Sequence, residues 1–271
     1  MNAVNHRIYA EDWYLDCVCP KSWDCLVYGD YEAVMPLPFT RKFFLKFISQ
    51  PLFCQQLGVF SPKQELVSLP EFYNFLKKEL VRGYNFNSEN NLASDFLKTE
   101  VKINQILKFE DSYQATCKKY NRLRNRNIRK FYESGFTVSE TEKADDMISE
   151  FRNEFHDLNI PDFAYKNLKS LFKKSIKNGK GIQRIALKEG RMVASGFWAV
   201  SKGRIYYIFS SNSPQGKEFG ATTSLVDSVI KDYSGENFFD FEGSNLPKVH
   251  NFNKSFGAED ENYFFYRNFP I

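Results

Sequence analysis

The chain has 271 residues, 42% of them apolar and 26% charged, enough for one large domain or two small ones and too apolar for wholesale disorder. A formal net charge of +4 suits an anionic ligand but falls well short of a dedicated nucleic-acid binder. Aromatics reach 17%, with 28 Phe and 15 Tyr, and such rings fill cores and line ligand clefts alike. No stretch approaches the roughly 18 apolar residues of a membrane helix. Residues 1–13 lack the apolar segment of a secretory leader, so the expectation is a cytoplasmic protein without a membrane span. The cysteines Cys17, Cys19, Cys25, Cys54 and Cys117 are odd in number and read as reduced thiols. Cys17, Cys19, Cys25 and His6 lack a Cys-x-x-Cys pair, so no metal is expected.

In chain order, Tyr9–Val18 reads as a short helix. Asp24–Tyr28, a turn at Gly29-Asp30 and Glu32–Leu37 read as a hairpin, with Phe43–Ile48 a third strand. Leu69–Leu80 is a predicted helix, and Val81–Phe86 and Val101–Phe109 are predicted strands. Residues 50–60 are apolar and glutamine-rich. Gln50, Gln55 and Gln56 either line an interdomain cleft or close the hydrogen bonds of a bent strand. A helical stretch, Asp111–Tyr132, is followed by amphipathic helices at Ala144–Leu158 and Asp162–Asn178.

The second half is more legible. Ile182–Leu187, Met192–Val200 and Arg204–Phe209 form a predicted meander through turns at Glu189-Gly190 and Lys202-Gly203. A breaker cluster at 211–216 precedes a helix over Ala221–Tyr233, whose Leu225, Val226, Val229, Ile230 and Tyr233 share one face. Asn237–Phe241 is a short strand, Leu246–Phe256 a helix and Asn262–Arg267 a final aromatic strand. The first half repeats this order loosely.

Lys217, Gly220, Ala221 and Thr222 stand between a strand and an amphipathic helix. A glycine there lets backbone approach a ligand, and the first helical turn offers unpaired N–H groups to phosphate. The other reading is an ordinary surface loop. Asp240 and Glu242 lie two apart, so one strand face can hold both carboxylates, as general bases or ammonium ligands; alternatively they cap the next helix. Ser210, Ser211 and Asn212 end the third meander strand, as oxyanion donors or plain turn residues. His250 is a lone helical histidine, structural or a base near neutral pH. Arg122, Arg126 and Arg129 fall on one helical face, to grip phosphates or to be solvated. The lysines from Lys166 to Lys180 spread around their helix and read as solvated surface.

The Lys217–Thr222 segment resembles the Arg/Gln-x-x-Gly-x-Gly/Ala segment with which GNAT acyltransferases hold the pyrophosphate of acyl-CoA, with Lys217 and Thr222 as departures. The segment from Phe239 to Ser244, followed by Phe252-Asn-Lys-Ser-Phe-Gly257, resembles the C-terminal signature of Fem-type peptidyltransferases, with Lys254 one position later than in that pattern. Those are tandem GNAT proteins that use aminoacyl-tRNA donors. Residues 29–38 and 50–60 are similar to GNAT-like proteins of Bacteroidetes-type bacteria. The resemblance implies an α/β (α+β) chain of two GNAT-like halves, each a mixed, largely antiparallel sheet flanked by helices. Residues 1–110 would form one half, 111–134 a basic connecting helix, and 135–271 the half with the active site. It also implies an N-acyltransferase that moves an acyl or aminoacyl group from acyl-CoA or aminoacyl-tRNA to a small-molecule or peptide amine, by direct attack and without a metal. On that reading Asp240, Glu242, Ser211 and His250 serve catalysis. Lys217, Gly220, Ala221 and Thr222 hold the donor, and Gln50, Gln55, Gln56, Arg122, Arg126 and Lys254 bind substrate. A catalytically silent GNAT-fold binding protein and an RNA-contacting module built on the basic helix are the alternatives.

Overall fold

The computed structural model describes residues 2–90, 93–243 and 245–269. Ser244 of the Fem-like segment lies outside the described residues. The chain divides into two compact units, Met1–Asn104 with Glu261–Ile271, and Gln105–Asp260.

The first unit carries α1 (Asp12–Val18), β1 (Trp23–Tyr28), β2 (Ala33–Lys42), β3 (Leu45–Ser49), α2 (Pro70–Lys78), β4 (Val81–Phe86) and α3 (Ala93–Phe96). Strands β1, β2 and β3 form an antiparallel meander, and β4 lies parallel to β3. Pro70 opens α2, where the missing N–H costs nothing. The β2–β3 turn falls on Phe43 and Phe44, so β3 starts at Leu45 rather than at Phe43. A Phe-Phe pair carries no turn signal. Strand β5 (Thr99–Lys108) begins in this unit, and its residues 105–108 belong to the second.

The second unit continues with α4 (Tyr113–Cys117), α5 (Arg122–Glu133), β6 (Phe136–Glu140), α6 (Ala144–Glu154), α7 (Asp162–Lys177), β7 (Gly181–Lys188), β8 (Arg191–Ser201) and β9 (Arg204–Asn212). Then come α8 (Pro214–Phe219), α9 (Ala221–Asp232), β10 (Phe238–Asp240) and α10 (Pro247–Lys254), before β11 (Glu259–Tyr266). The single helix expected over Asp111–Tyr132 is two. Asn121 accepts the Arg124 N–H and starts a new helix, as Ser112 does for Ala115. The breaker cluster holds a short helix, because Ser213 caps Gly216 and Pro214 occupies the first turn. Strand β6, not anticipated, follows a left-handed Gly135.

Strands β6, β7, β8 and β9 are antiparallel in succession, β10 runs parallel to β9, and residues 106–108 of β5 pair antiparallel with β10. Strand β11, expected to close the second half, pairs with β4 in the first unit instead. Its run of aromatics, Tyr263 to Tyr266, marks it as a strand but does not select an edge.

The core of the second unit is built on α9, whose Leu225, Val226, Val229 and Ile230 are fully buried with Trp198, Ile205 and Phe239. Each such side chain contributes roughly 1.5–3 kcal/mol. Asp227 shares that helix and is also buried. Tyr113 donates its hydroxyl to the two carboxylate oxygens at 2.9 and 3.1 Å. Burial pushes its pKa up. A carboxyl raised in the folded state loses stability as pH climbs from the ordinary value of about 3.9 through the raised one. Asp227→Asn is therefore expected to be more stable than wild type at pH ~7, with the gain vanishing below pH ~4. Urea unfolding of both proteins across that range checks it, and a pH-independent difference would refute it.

Candidate functional site

Several sequence-derived candidates converge at the end of β9. Strand β10 pairs with β9 only from Arg204 to Tyr206; among the described residues, no strand covers the β10 side of β9 from Tyr207 to Asn212. A bulge accompanies this change. Phe197 faces Phe209 and Trp198 faces Tyr207, so Ile208 is the extra residue. The Ser213 N–H bonds Val193 on β8, so by alternation the N–H groups of Asn212 and Ser210 face away from β8.

Glu154, the last residue of α6, takes the Asn212 N–H at 2.6 Å and meets Lys217 Nζ at 2.7 Å. The Asn212 amide donates to Thr222 Oγ1 at 2.7 Å, and its own side-chain oxygen is buried without a hydrogen-bond partner. Ser211 shares a 2.7 Å hydrogen bond with Ser195, and Tyr207 donates to Ser210 Oγ at 2.6 Å. Burial raises the Tyr207 phenol pKa and keeps it a donor. The reading from sequence missed Glu154 and Tyr207. Glu154 carried a signal, because it extends the apolar stripe Ala144, Met147 and Phe151 of α6.

Gly220 has φ +71 and ends α8 while starting α9. A Cβ there would sit 3.1 Å from Asn127 Cβ, so the glycine admits the close approach of α5. Arg124 of α5 donates to Thr223 Oγ1 at 2.7 Å, and Lys130 to the Glu218 carbonyl at 3.1 Å. Arg124 also lies over Phe252, 4.8 Å from its centroid. Ala221 belongs to the core. The start of α9 is thus packed by α5, while Arg122, Arg126 and Arg129 point outward around an open pocket of about 750 Å³.

Asp240 and Glu242 do not share a strand face. Strand β10 stops at Asp240, and Glu242 adopts a left-handed backbone with φ +50. Asp240 is fully buried, with Oδ2 receiving Arg204 Nη1 at 2.9 Å and Oδ1 the Glu242 N–H at 2.9 Å. His250 and Lys254, one turn apart on α10, converge on Asp260 at 3.1 and 3.2 Å. Partial burial there pushes the carboxyl up, but the hydrogen bonds and charges of His250 and Lys254 prevail and hold its pKa below the usual range. Gln105 donates to the His250 carbonyl at 3.2 Å and accepts from Asn253 at 2.8 Å.

In the first unit, Gln50 donates to the Cys54 carbonyl at 2.7 Å and accepts the Asn85 N–H at 3.1 Å, closing an irregular segment. Gln56 donates to Gln55 at 2.9 Å. Among the described residues there is no group of His, Cys, Asp and Glu fit to hold a metal, and no helix is long and apolar enough to cross a membrane.

No family model matches the sequence, and no curated protein matches it. Among solved structures, FemX is similar over 98% of this chain and 94% of its own, with a TM-score of 0.70 at 12% identity. The fold is that of FemX. A conserved protein of unknown function from Bacteroides thetaiotaomicron is similar at TM-score 0.63 and 9% identity, over 99% and 94% of the two chains. L-PGS from Bacillus licheniformis is similar at TM-score 0.55 and 15% identity, over 91% and 84%. At these identities the likeness is one of fold, and this Fem-type fold is the one that the C-terminal segments resemble.

Within this FemX-type fold the Arg204–Asp240 pair is expected to be structural. Asp240→Asn, which leaves the Arg204 charge without its buried counter-ion, should cost roughly 3–5 kcal/mol in urea unfolding. Arg204→Met with Asp240→Leu should recover part of that loss. An Asn variant as stable as wild type would free Asp240 for chemistry.

Proposed function

We propose that the chain is an N-acyltransferase of two GNAT-like halves whose second unit carries the active site. The observation that carries this reading is the opening beside β9. Among the described residues, β9 has a strand partner on one side only from Tyr207 to Asn212; of its outward N–H groups, that of Asn212 is held by Glu154 and that of Ser210 faces the opening. Such an edge can receive an extended donor and present the Ser210 N–H to the oxyanion that forms during acyl transfer. The pairing pattern shared by both units supports the two-half reading: antiparallel meander, parallel strand, antiparallel strand.

An acceptor amine attacks the donor carbonyl directly, and a carboxylate takes its proton. Asp240 has both oxygens engaged, and His250 is turned to Asp260. Glu242, just past the end of β10 and half-buried where Asp240 is fully buried, is the base we assign on its access to the opening, with Glu154 positioning Lys217 and Asn212.

Aminoacyl-tRNA is the donor that the surface favours. Lys217 is paired with Glu154, Thr222 is bonded to Asn212, and α5 packs on the start of α9, so a pyrophosphate would have to displace existing interactions. The outward Arg122 and Arg126 can reach phosphates, while Arg129 beside them pairs with Glu133. The acceptor is a peptide or small-molecule amine. The same closed loop favours a second reading, a binding protein without turnover.

The melting temperature separates the donors. A ligand at about 100 times its dissociation constant adds about 2.7 kcal/mol to the native state. Aminoacyl-tRNA is expected to raise the melting temperature and acetyl-CoA to leave it unchanged; the reverse result would make this a CoA enzyme. Arg122→Ala with Arg126→Ala should weaken tRNA binding and lower its log–log salt slope by about one for each phosphate no longer neutralised. Glu242→Gln should abolish turnover while leaving donor affinity within a few-fold. Unchanged turnover would remove Glu242 from the mechanism, and absence of turnover in wild type with donor bound would support the silent reading.

A further inference from the structure

The β2–β3 hairpin of the first unit ends in a feature that neither turn geometry nor core packing explains. Lys42 pairs with Leu45, so the connection is two residues long, Phe43 and Phe44, with φ +49 and +65. Two consecutive left-handed residues make the turn type that selects Asn-Gly, because a Cβ is disfavoured there. Phenylalanine at both positions is strained, and strain at non-glycine residues marks a site under another constraint. The rings do not relieve it by packing. Phe43 is 82% exposed and Phe44 fully so, with Leu45 half exposed behind them. The last buried residue of β2 is Phe39 and the first of β3 is Phe47, so residues 40–45 project from the unit as an exposed arm.

The charge around this tip is one-sided. Arg41 stands directly across from Lys46 in the register, an arrangement that opposes pairing. Lys42 lies 5.5 Å from the Phe43 ring. The acid that reaches this collar is Asp24 of β1, which pairs with Lys46.

We propose that this hairpin tip docks the protein on an anionic lipid surface. The rings of Phe43 and Phe44 enter the boundary between headgroups and acyl chains. Arg41 and Lys42 stay at the level of the lipid phosphates, where their charge is compensated and the Arg41–Lys46 repulsion is screened. A second copy of this chain would bring the same cations to the interface, which disfavours self-association through the tip. The proposal concerns a surface of the first unit and does not depend on the transferase reading.

The test is sedimentation of the full chain with vesicles of phosphatidylcholine alone and of phosphatidylcholine with roughly a third phosphatidylglycerol. Wild type is expected to pellet with the anionic vesicles only, less so as NaCl rises from about 0.1 to about 0.5 M. Phe43→Asn with Phe44→Gly installs the favoured turn pair, so this variant should melt at or above the wild-type temperature while its vesicle affinity falls at least tenfold. Phe44→Trp should show a blue-shifted emission when anionic vesicles are added. The proposal is overturned if wild type stays in the supernatant with anionic vesicles, or if the Asn-Gly variant binds them equally. It is also overturned if the variant changes the oligomeric state or the affinity for single-stranded RNA while vesicle binding is nil.

Discussion

Arg204 and Asp240 form an ion pair in the interior of the second unit, between the two ends of the short ladder that joins β9 to β10. Neither charge tolerates that environment without the other. A register slip of one residue would turn one of them to the opposite face and break the pair. The pair therefore holds a parallel ladder three residues long, from Arg204 opposite Phe238 to Tyr206 opposite Asp240. The backbone then turns at Glu242, whose N–H bonds the same carboxylate. Beyond that point β9 continues with a partner on one side only, and its bulge at Ile208 falls there. The opening beside β9 thus follows from a local shortage of strand and a charge pair that sets where the shortage begins.

The loop after β9 is governed by a second carboxylate. Glu154 binds the Asn212 N–H and Lys217 together, tying the end of α6 to the end of β9 and to α8. Asn212 extends the connection to Thr222 at the start of α9. Helix α5 adds Asn127 against Gly220 and Arg124 against Thr223. What looked in the sequence like an isolated glycine-bearing segment is a junction of several helices. The positive charges of α5 divide accordingly. Arg124 is partly buried over Phe252, where desolvation lowers its pKa, while Arg122, Arg126 and Arg129 remain outside.

Much of the fold was legible. The meander β7–β9, the buried stripe of α9, and α2, β4 and α7 follow from periodicity and punctuation, which act over a few residues. The segment with local chemistry, Lys217, Gly220 and Thr222, was expected at a strand–helix junction; Lys217 lies within α8 and Gly220 joins α8 to α9, because Ser213 and Pro214 start a helix that the breaker cluster hid. Asp240 and Glu242 were misjudged as a face-sharing pair, because the strand that would have aligned them ends after Asp240. The Phe43-Phe44 turn was invisible, since no propensity rule assigns a two-residue hairpin to phenylalanines.

The sequence by itself determined the kinds of element, their order and the apolar faces they bury, because hydrophobic spacing and capping are properties of neighbouring residues. Only the tertiary structure decided which strands meet. It placed β11 against β4 and residues 106–108 of β5 against β10, gave Asp240 to Arg204, and brought Glu154 to Lys217 across more than sixty residues of chain. Pairings of that kind depend on which edges and charges remain unsatisfied once the local elements have formed, and no local pattern records that.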